Sequence, residues 1–383
     1  MSTAKPAREP LPRGYWTIWT TVAIDLIGFG IVAPLLPLYA KRFGASGFAT
    51  GALFASFSLA QMICAPLLGR LSDRIGRKPV IIMSLFGTMI GSLLTGLAGS
   101  LPMLFVGRLV DGASGASVSV AQGAVVDISP VARRAKMLGM LSAAFGVGFV
   151  LGPAIGGLAS LGNRRLPFFV AAAISGINGV VALRRLPETR RISAEGHGSR
   201  ILSRRPDLVR LAAIGFLSIA AFGAFEAMFS RFGSVRFRLT EGSVSVVFVG
   251  VGLWLVVVQG GLVGKVSERI GSRRSLHVGL ALLTAGLVLI AVTKTWATLV
   301  PALALLGLGQ GLAGPNLSAL VAESAGDRSR GEALGFQQSA GAAARVVGPL
   351  CAGWLFDRDV GLPYLAGAIL VALGLGASFF NLS

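Results

Sequence analysis

The chain has 383 residues, of which 54% are hydrophobic and only 13% charged, and its formal net charge is +19. Soluble domains carry about 25% charged residues, so this chain lacks the polar surface that a soluble fold of its length needs. Its basic residues sit in short loops between apolar runs, an arrangement that suits anionic lipid heads and argues against nucleic acid.

A bilayer-crossing helix needs about 20 mostly apolar residues. After a tail over residues 1–14, twelve such segments are predicted, at 15–40, 48–70, 79–100, 102–127, 136–161, 166–185, 208–231, 242–264, 276–293, 296–321, 331–356 and 361–381. The first is too long, and too interrupted by Asp25, to be a cleaved leader. Most of the Lys and Arg residues fall before the first segment or after even-numbered ones, which predicts both termini in the cytoplasm. Residues 186–207 are polar, basic and centrally placed, and read as a linker between six-helix halves at 15–185 and 208–383. The expected fold is therefore an all-α membrane protein with twelve transmembrane helices in two pseudo-symmetric halves.

Two glycine-punctuated patterns occur once in each half. Gly69-Arg70-Leu71-Ser72-Asp73-Arg74-Ile75-Gly76-Arg77-Lys78 is answered by Gly264-Lys265-Val266-Ser267-Glu268-Arg269-Ile270-Gly271-Ser272-Arg273-Arg274. Gly139, Gly148, Gly152-Pro153 and Gly156-Gly157 are answered by Gly335, Ala344, Gly348-Pro349 and Ala352-Gly353. In the first pattern, Gly69 and Gly76 are expected to let the chain leave one helix and turn into the next. Asp73 is placed to pair with Arg77 or to meet the positive end of a helix. In the second, Gly148, Gly152 and Gly156 recur every four residues and so share one helix face. That face is expected to lie against a helix of the other half, with Pro153 bending its own helix.

These residues carry a resemblance to the major facilitator superfamily, and within it to the twelve-helix drug:proton antiporters. Gly69 to Lys78 is similar to that superfamily's motif between helices two and three, and Arg108, Gly112 and Gly115 resemble its fourth-helix motif. Gly139, Gly148, Gly152-Pro153 and Gly156-Gly157 resemble the motif of antiporters. Asp25 to Gly30 with Pro34 and Pro37 is similar to bacterial tetracycline and multidrug exporters. The resemblance implies that Asp127 is a further partner of the 69–78 loop, in a latch (Gly69, Asp73, Gly76, Arg77, Lys78, Asp127) that holds the halves together in one state. The chain departs from tetracycline exporters in its third and ninth segments, which carry no acid; Gly91 stands where one is expected. Tetracycline itself is therefore not the expected substrate.

An ionisable group at mid-bilayer costs roughly 2.5–3.5 kcal/mol, so each needs a partner or a role. Asp25, Arg108, Asp111, Glu226 and Arg345 fall in this class. With His197 and His277 the only histidines and neither deep in a segment, a proton carrier has to be Asp25, Asp111 or Glu226. Arg108 and Asp111, three apart on one helix, either serve the carrier or neutralise each other; Glu226 and Arg345 are the corresponding candidates in the second half. Gln61, Phe145, Phe149, Phe225, Gln259, Gln310, Asn316, Gln337 and Gln338 are candidates either for lining a substrate cavity or for ordinary packing. Cys64 and Cys351 lie in apolar runs and offer no metal site, and neither a phosphate loop nor a nucleophile elbow is present. No enzyme and no cofactor are expected. The predicted function is export of small apolar or amphipathic, drug-like compounds in exchange for protons, by a monomer in the bacterial inner membrane. A proton-coupled importer of a small metabolite and a transport-inactive membrane sensor are the alternatives.

Overall fold

The structure is a computed structural model that describes residues 11–130, 133–189, 206–325 and 330–380. Those residues form thirteen α-helices and no strand: α1 (Tyr15–Lys41), α2 (Gly47–Ile75), α3 (Arg77–Leu97), α4 (Leu101–Ser114), α5 (Ser117–Ile128), α6 (Arg134–Gly162), α7 (Leu166–Arg185), α8 (Pro206–Phe237), α9 (Glu241–Val257), α10 (Val263–Val292), α11 (Trp296–Ala325), α12 (Arg330–Phe356) and α13 (Leu362–Phe379). Among the described residues, nine segments are long and apolar enough to cross a membrane. Of the twelve predicted segments, the eleventh, which is α12 and carries Arg345, is not among these nine, and two further differences have local causes. The eighth and ninth run together as one path over Glu241–Val292, through a π-helical turn at Val258–Leu262 that contains Gly260 and Gly261. The fourth is cut into α4 and α5 at Gly115 and Ala116. There the Gln61 side chain of α2 donates to the Gly115 carbonyl at 2.7 Å and takes it from the helical ladder.

Gly76 ends α2 with φ 106°, and its counterpart Gly271 breaks α10 with φ 81°. Both are left-handed conformations that only glycine adopts cheaply, so the sequence repeat is also a backbone repeat. Gly69 is different: it lies inside α2, with open space around it, and plays no part in the turn.

The bundle has two ends. One carries the turns at 42–46, 98–100, 163–165, 238–240, 293–295 and 357–361, and is called here the Ser46 end; the other carries Gly76, Gly271 and the 186–189 segment. Within residues 15–185, α1 packs on α6 and α7, and α3 on α4 and α7. Within 206–380, α8 packs on α12 and α13, and α10 on α11 and α13. Between these groups, α2 lies along α12 and α6 lies along α9.

The small-residue face of α6 does not meet α9. A Cβ on Gly152 would sit 2.5 Å from the backbone of Gly30, one on Gly148 would strike Leu26, and one on Gly156 would approach Ile31. That face therefore packs on α1, because α1 answers it with its own glycine, Gly30. The contact with α9 comes from the neighbouring face, where Gly157 meets Ser245 and the Phe149 carbonyl approaches Gly252. Gly152→Val is expected to cost about 1–3 kcal/mol by overpacking a backbone-to-backbone contact, read as a lower thermal midpoint in detergent.

Candidate functional site

The charged residues gather around the middle of the bundle. On α4, Arg108 is 2% exposed and its Nη1 lies 2.7 Å from Asp111 Oδ2. Its guanidinium also stacks over the Phe57 ring of α2, 4.2 Å from the centroid. Gly91 of α3 makes this possible: a side chain there would sit 2.7 Å from the Asp111 backbone nitrogen. The missing acid of the third segment is thus replaced by space for α4 and its own acid.

Asp25 is not paired with Arg108. Its Oδ2 accepts a hydrogen bond from Ser117 Oγ at 2.5 Å, at the first residue of α5, and it feels the charge of Asp111. The break between α4 and α5 places that hydroxyl, and nothing in the sequence pattern of a continuous fourth helix pointed to it.

Glu226 of α8 does not form an ion pair with Arg345, contrary to expectation. It stands in the electrostatic fields of Arg345 and Arg108, but its Oε1 is buried without a hydrogen-bond partner. Glu226 lines a narrow cleft between helices of the two groups. The cleft is lined by Leu26, Phe29, Gly30, Ala33 and Pro34 of α1, by Phe145, Gly148, Phe149 and Pro153 of α6, by Glu226, and by Phe248 of α9. It has room for one water at most. Arg345 itself is solvent-accessible on α12.

The cavity candidates divide. Phe145 and Phe149 line the cleft. Phe225 does not, because it is 1% exposed and packs with Phe222, Phe229 and Phe248. Asn316 is also structural: it donates to the Leu312 carbonyl and accepts from Ser267 Oγ, both at 2.8 Å, tying α11 to α10. Gln61 holds the α4–α5 break, and Gln337 reaches Ser318 at 3.4 Å. Gln259 and Gln338 are exposed, and Gln310 keeps a buried oxygen without a partner. Phe29 and Phe248 escaped sequence reasoning, since an apolar helix shows which faces it has but not which one borders a gap.

At the Gly76 end, Arg77 is the hub. It reaches Asp73 at 2.7 Å, Asp127 at 2.9 Å and Ser72 Oγ at 2.6 Å, and Gly123 leaves room for its guanidinium beside α5. The backbone N–H groups of Arg77 and Lys78, at the start of α3, donate to the Glu188 carboxylate at 2.9 and 3.2 Å. Glu188 was missed because no pattern connects a residue after α7 to a turn before α3. In this arrangement the side-chain contacts of Arg77 with Ser72, Asp73 and Asp127 all lie within the first group of helices. Gly139 has open space around it.

The family model described as Major Facilitator Superfamily matches residues 18–349 and 237–383. The chain belongs to the Major Facilitator Superfamily. Among curated relatives it is 33% identical to the class E tetracycline resistance protein of Escherichia coli over 350 residues, 88% of this chain and 86% of that one. It is 29% identical to multidrug resistance protein 1 of Bacillus subtilis (strain 168) over 367 residues, 93% of both chains. Among solved structures, the bacterial homolog of the human lysosomal transporter Spinster, in an inward-facing and occupied conformation, matches with a TM-score of 0.80 at 14% identity. That match covers 98% of this chain and 97% of that one. The human organic anion transporter MFSD10 (TETRAN) matches with a TM-score of 0.73 at 24% identity, covering 98% of this chain and 100% of that one. The protein is thus a multi-pass membrane transporter of the Major Facilitator Superfamily and not an enzyme.

Proposed function

We propose that this transporter exports small apolar or amphipathic compounds in exchange for protons, by alternating access between halves at 15–185 and 208–383 joined by the 186–207 linker. The observation that carries the reading is the buried, orphaned carboxylate oxygen of Glu226, a residue that borders a cleft otherwise made of aliphatic and aromatic side chains. A buried acceptor without a partner is costly, and a proton or a polar group of a bound compound relieves that cost. Competition between the two for one carboxylate is a sufficient basis for exchange. Asp25, held by Ser117 and sensing Asp111, is the second candidate carrier. Each inward proton charge supplies roughly 2.3 kcal/mol per 100 mV of membrane potential.

Among the described residues, polar contacts between the two groups of helices cluster at the Ser46 end: Arg164 with Glu241, Arg231 with Ala45, and Asp357 with Gly47. Toward the other end, Met62, Ile63, Leu67, Gln259 and Gln338 are exposed. Charge bias puts that end in the cytoplasm, which supports a state open to the cytoplasm, in a bacterial inner membrane, with both termini inside. The relatives named for tetracycline and multidrug resistance support the direction of transport.

The test is proton movement in proteoliposomes on adding a panel of drug-like cations and neutral compounds, with wild type beside Asp25→Asn. Compound-triggered proton release by the wild type is the expected result. Its loss in Asp25→Asn would place that residue in the carrier path, and its survival would leave the role to Glu226. Absence of proton movement with every compound would refute the proposal in favour of a uniporter or a sensor.

A further inference from the structure

The N-terminus of α2 is held by groups from the opposite half. Ser46 Oγ accepts from the backbone N–H of Ala49, which leaves the amides of Gly47 and Phe48 without a partner on their own helix. Both donate to the Asp357 carboxylate, at 2.5 and 2.8 Å. Asp357 directly follows the C-terminus of α12, where its charge is unfavourable to its own helix. Its benefit therefore comes from α2 and from the charge of Arg231, not from its own helix.

Beside it, Arg231 of α8 donates to the Ala45 carbonyl at 2.8 Å and to Thr50 Oγ1 at 2.9 Å, and lies 5.5 Å from the Phe356 ring centroid. One residue from each neighbouring element, an acid and a base, thus grips the two faces of the 45–50 segment. Below the grip the backbones nearly touch: a Cβ on Gly51 would sit 2.1 Å from the Pro349 carbonyl oxygen, and one on Gly353 would sit 2.3 Å from that of Gly47. Nothing bulky props α2 and α12 apart there. Asp357 is exposed, so on separation water can take over the freed amides and the carboxylate. The contact is strong enough to bias a conformation and weak enough to release.

We propose that Asp357 and Arg231 form a releasable clasp that holds the Ser46 end shut, so that removing it moves the protein toward the state open at that end. This rests on the alternating-access reading above.

The test uses the full chain with Cys64→Ala and Cys351→Ala, spin-labelled either at Arg42→Cys and Lys294→Cys, across the Ser46 end, or at Arg74→Cys and Arg269→Cys, across the other. Distance distributions are measured by electron–electron double resonance in lipid nanodiscs, alone and with Asp357→Ala, Arg231→Gln or both. Each single variant is expected to raise the long-distance population at the Ser46 end by about 2- to 5-fold, the range that a helix-terminal charge supports, and to lower it at the other. Unchanged distributions with a reduced melting temperature would overturn the proposal and leave Asp357 as a simple helix cap. If wild-type distances stay fixed under every pH and compound while the variants still open the Ser46 end, the clasp stands and the transport reading fails.

Discussion

Replacing Glu226 by Gln is expected to reduce compound-driven proton flux to that of protein-free liposomes while the protein remains folded. The carboxamide keeps the size and one acceptor of the original group, so the apolar lining of Phe29, Phe145, Phe149 and Phe248 should stay in place. What it loses is the ability to take up or release a proton. The orphaned oxygen is expected to make Gln no worse tolerated than Glu, because a neutral group is cheaper to bury than a charged one. Equal folded yield with no flux assigns the proton step to this residue. Undiminished flux transfers the step to Asp25.

Arg108→Ala is expected to be the most destabilising single change among the charged residues. It strands Asp111, 8% exposed, without its cation, and empties the space against the Phe57 ring. Breaking one side of a buried pair costs about 3–5 kcal/mol, which thermal unfolding in detergent should register as a large fall in midpoint. The double variant Arg108→Leu with Asp111→Leu removes both charges and is expected to recover most of that loss. Its transport then separates the two readings of the pair. Activity in the double variant means that the charges only neutralise each other, and inactivity in a stable protein means that they serve the proton pathway.

The parts of this molecule that were legible in its sequence are those governed by neighbours along the chain. The turn glycines Gly76 and Gly271 announced themselves by repetition and do adopt the same unusual backbone. Arg108 and Asp111, three residues apart on a helix, were bound to be within reach of each other. Arg77 and Asp73 share a turn and do meet. Periodicity also put Gly148, Gly152 and Gly156 on one face, but it could not say which helix that face meets. Gly30 answers that question from more than a hundred residues away. The same limit hid Ser117 from Asp25, Glu188 from Gly76 and Asp357 from Gly47. Each of these contacts joins a turn or helix end to a distant element, and such ends carry no periodic signal. For Phe225 and Asn316, open in the sequence between cavity lining and packing, the outcome is packing, for a related reason. A polar or aromatic residue in an apolar helix has to satisfy itself somewhere, and these two do so within the core.

The measurement that bears most directly on proton exchange is the sign of the gradient that drives uptake. Proteoliposomes are loaded with acid interior or alkaline interior, and a radiolabelled compound with a permanent charge or none is supplied outside, with protein-free vesicles as baseline. Exchange predicts accumulation when the interior is acid, since protons leave as the compound enters. Accumulation only when the exterior is acid would instead mean co-transport. Uptake indifferent to the gradient would mean that neither Glu226 nor Asp25 carries a proton.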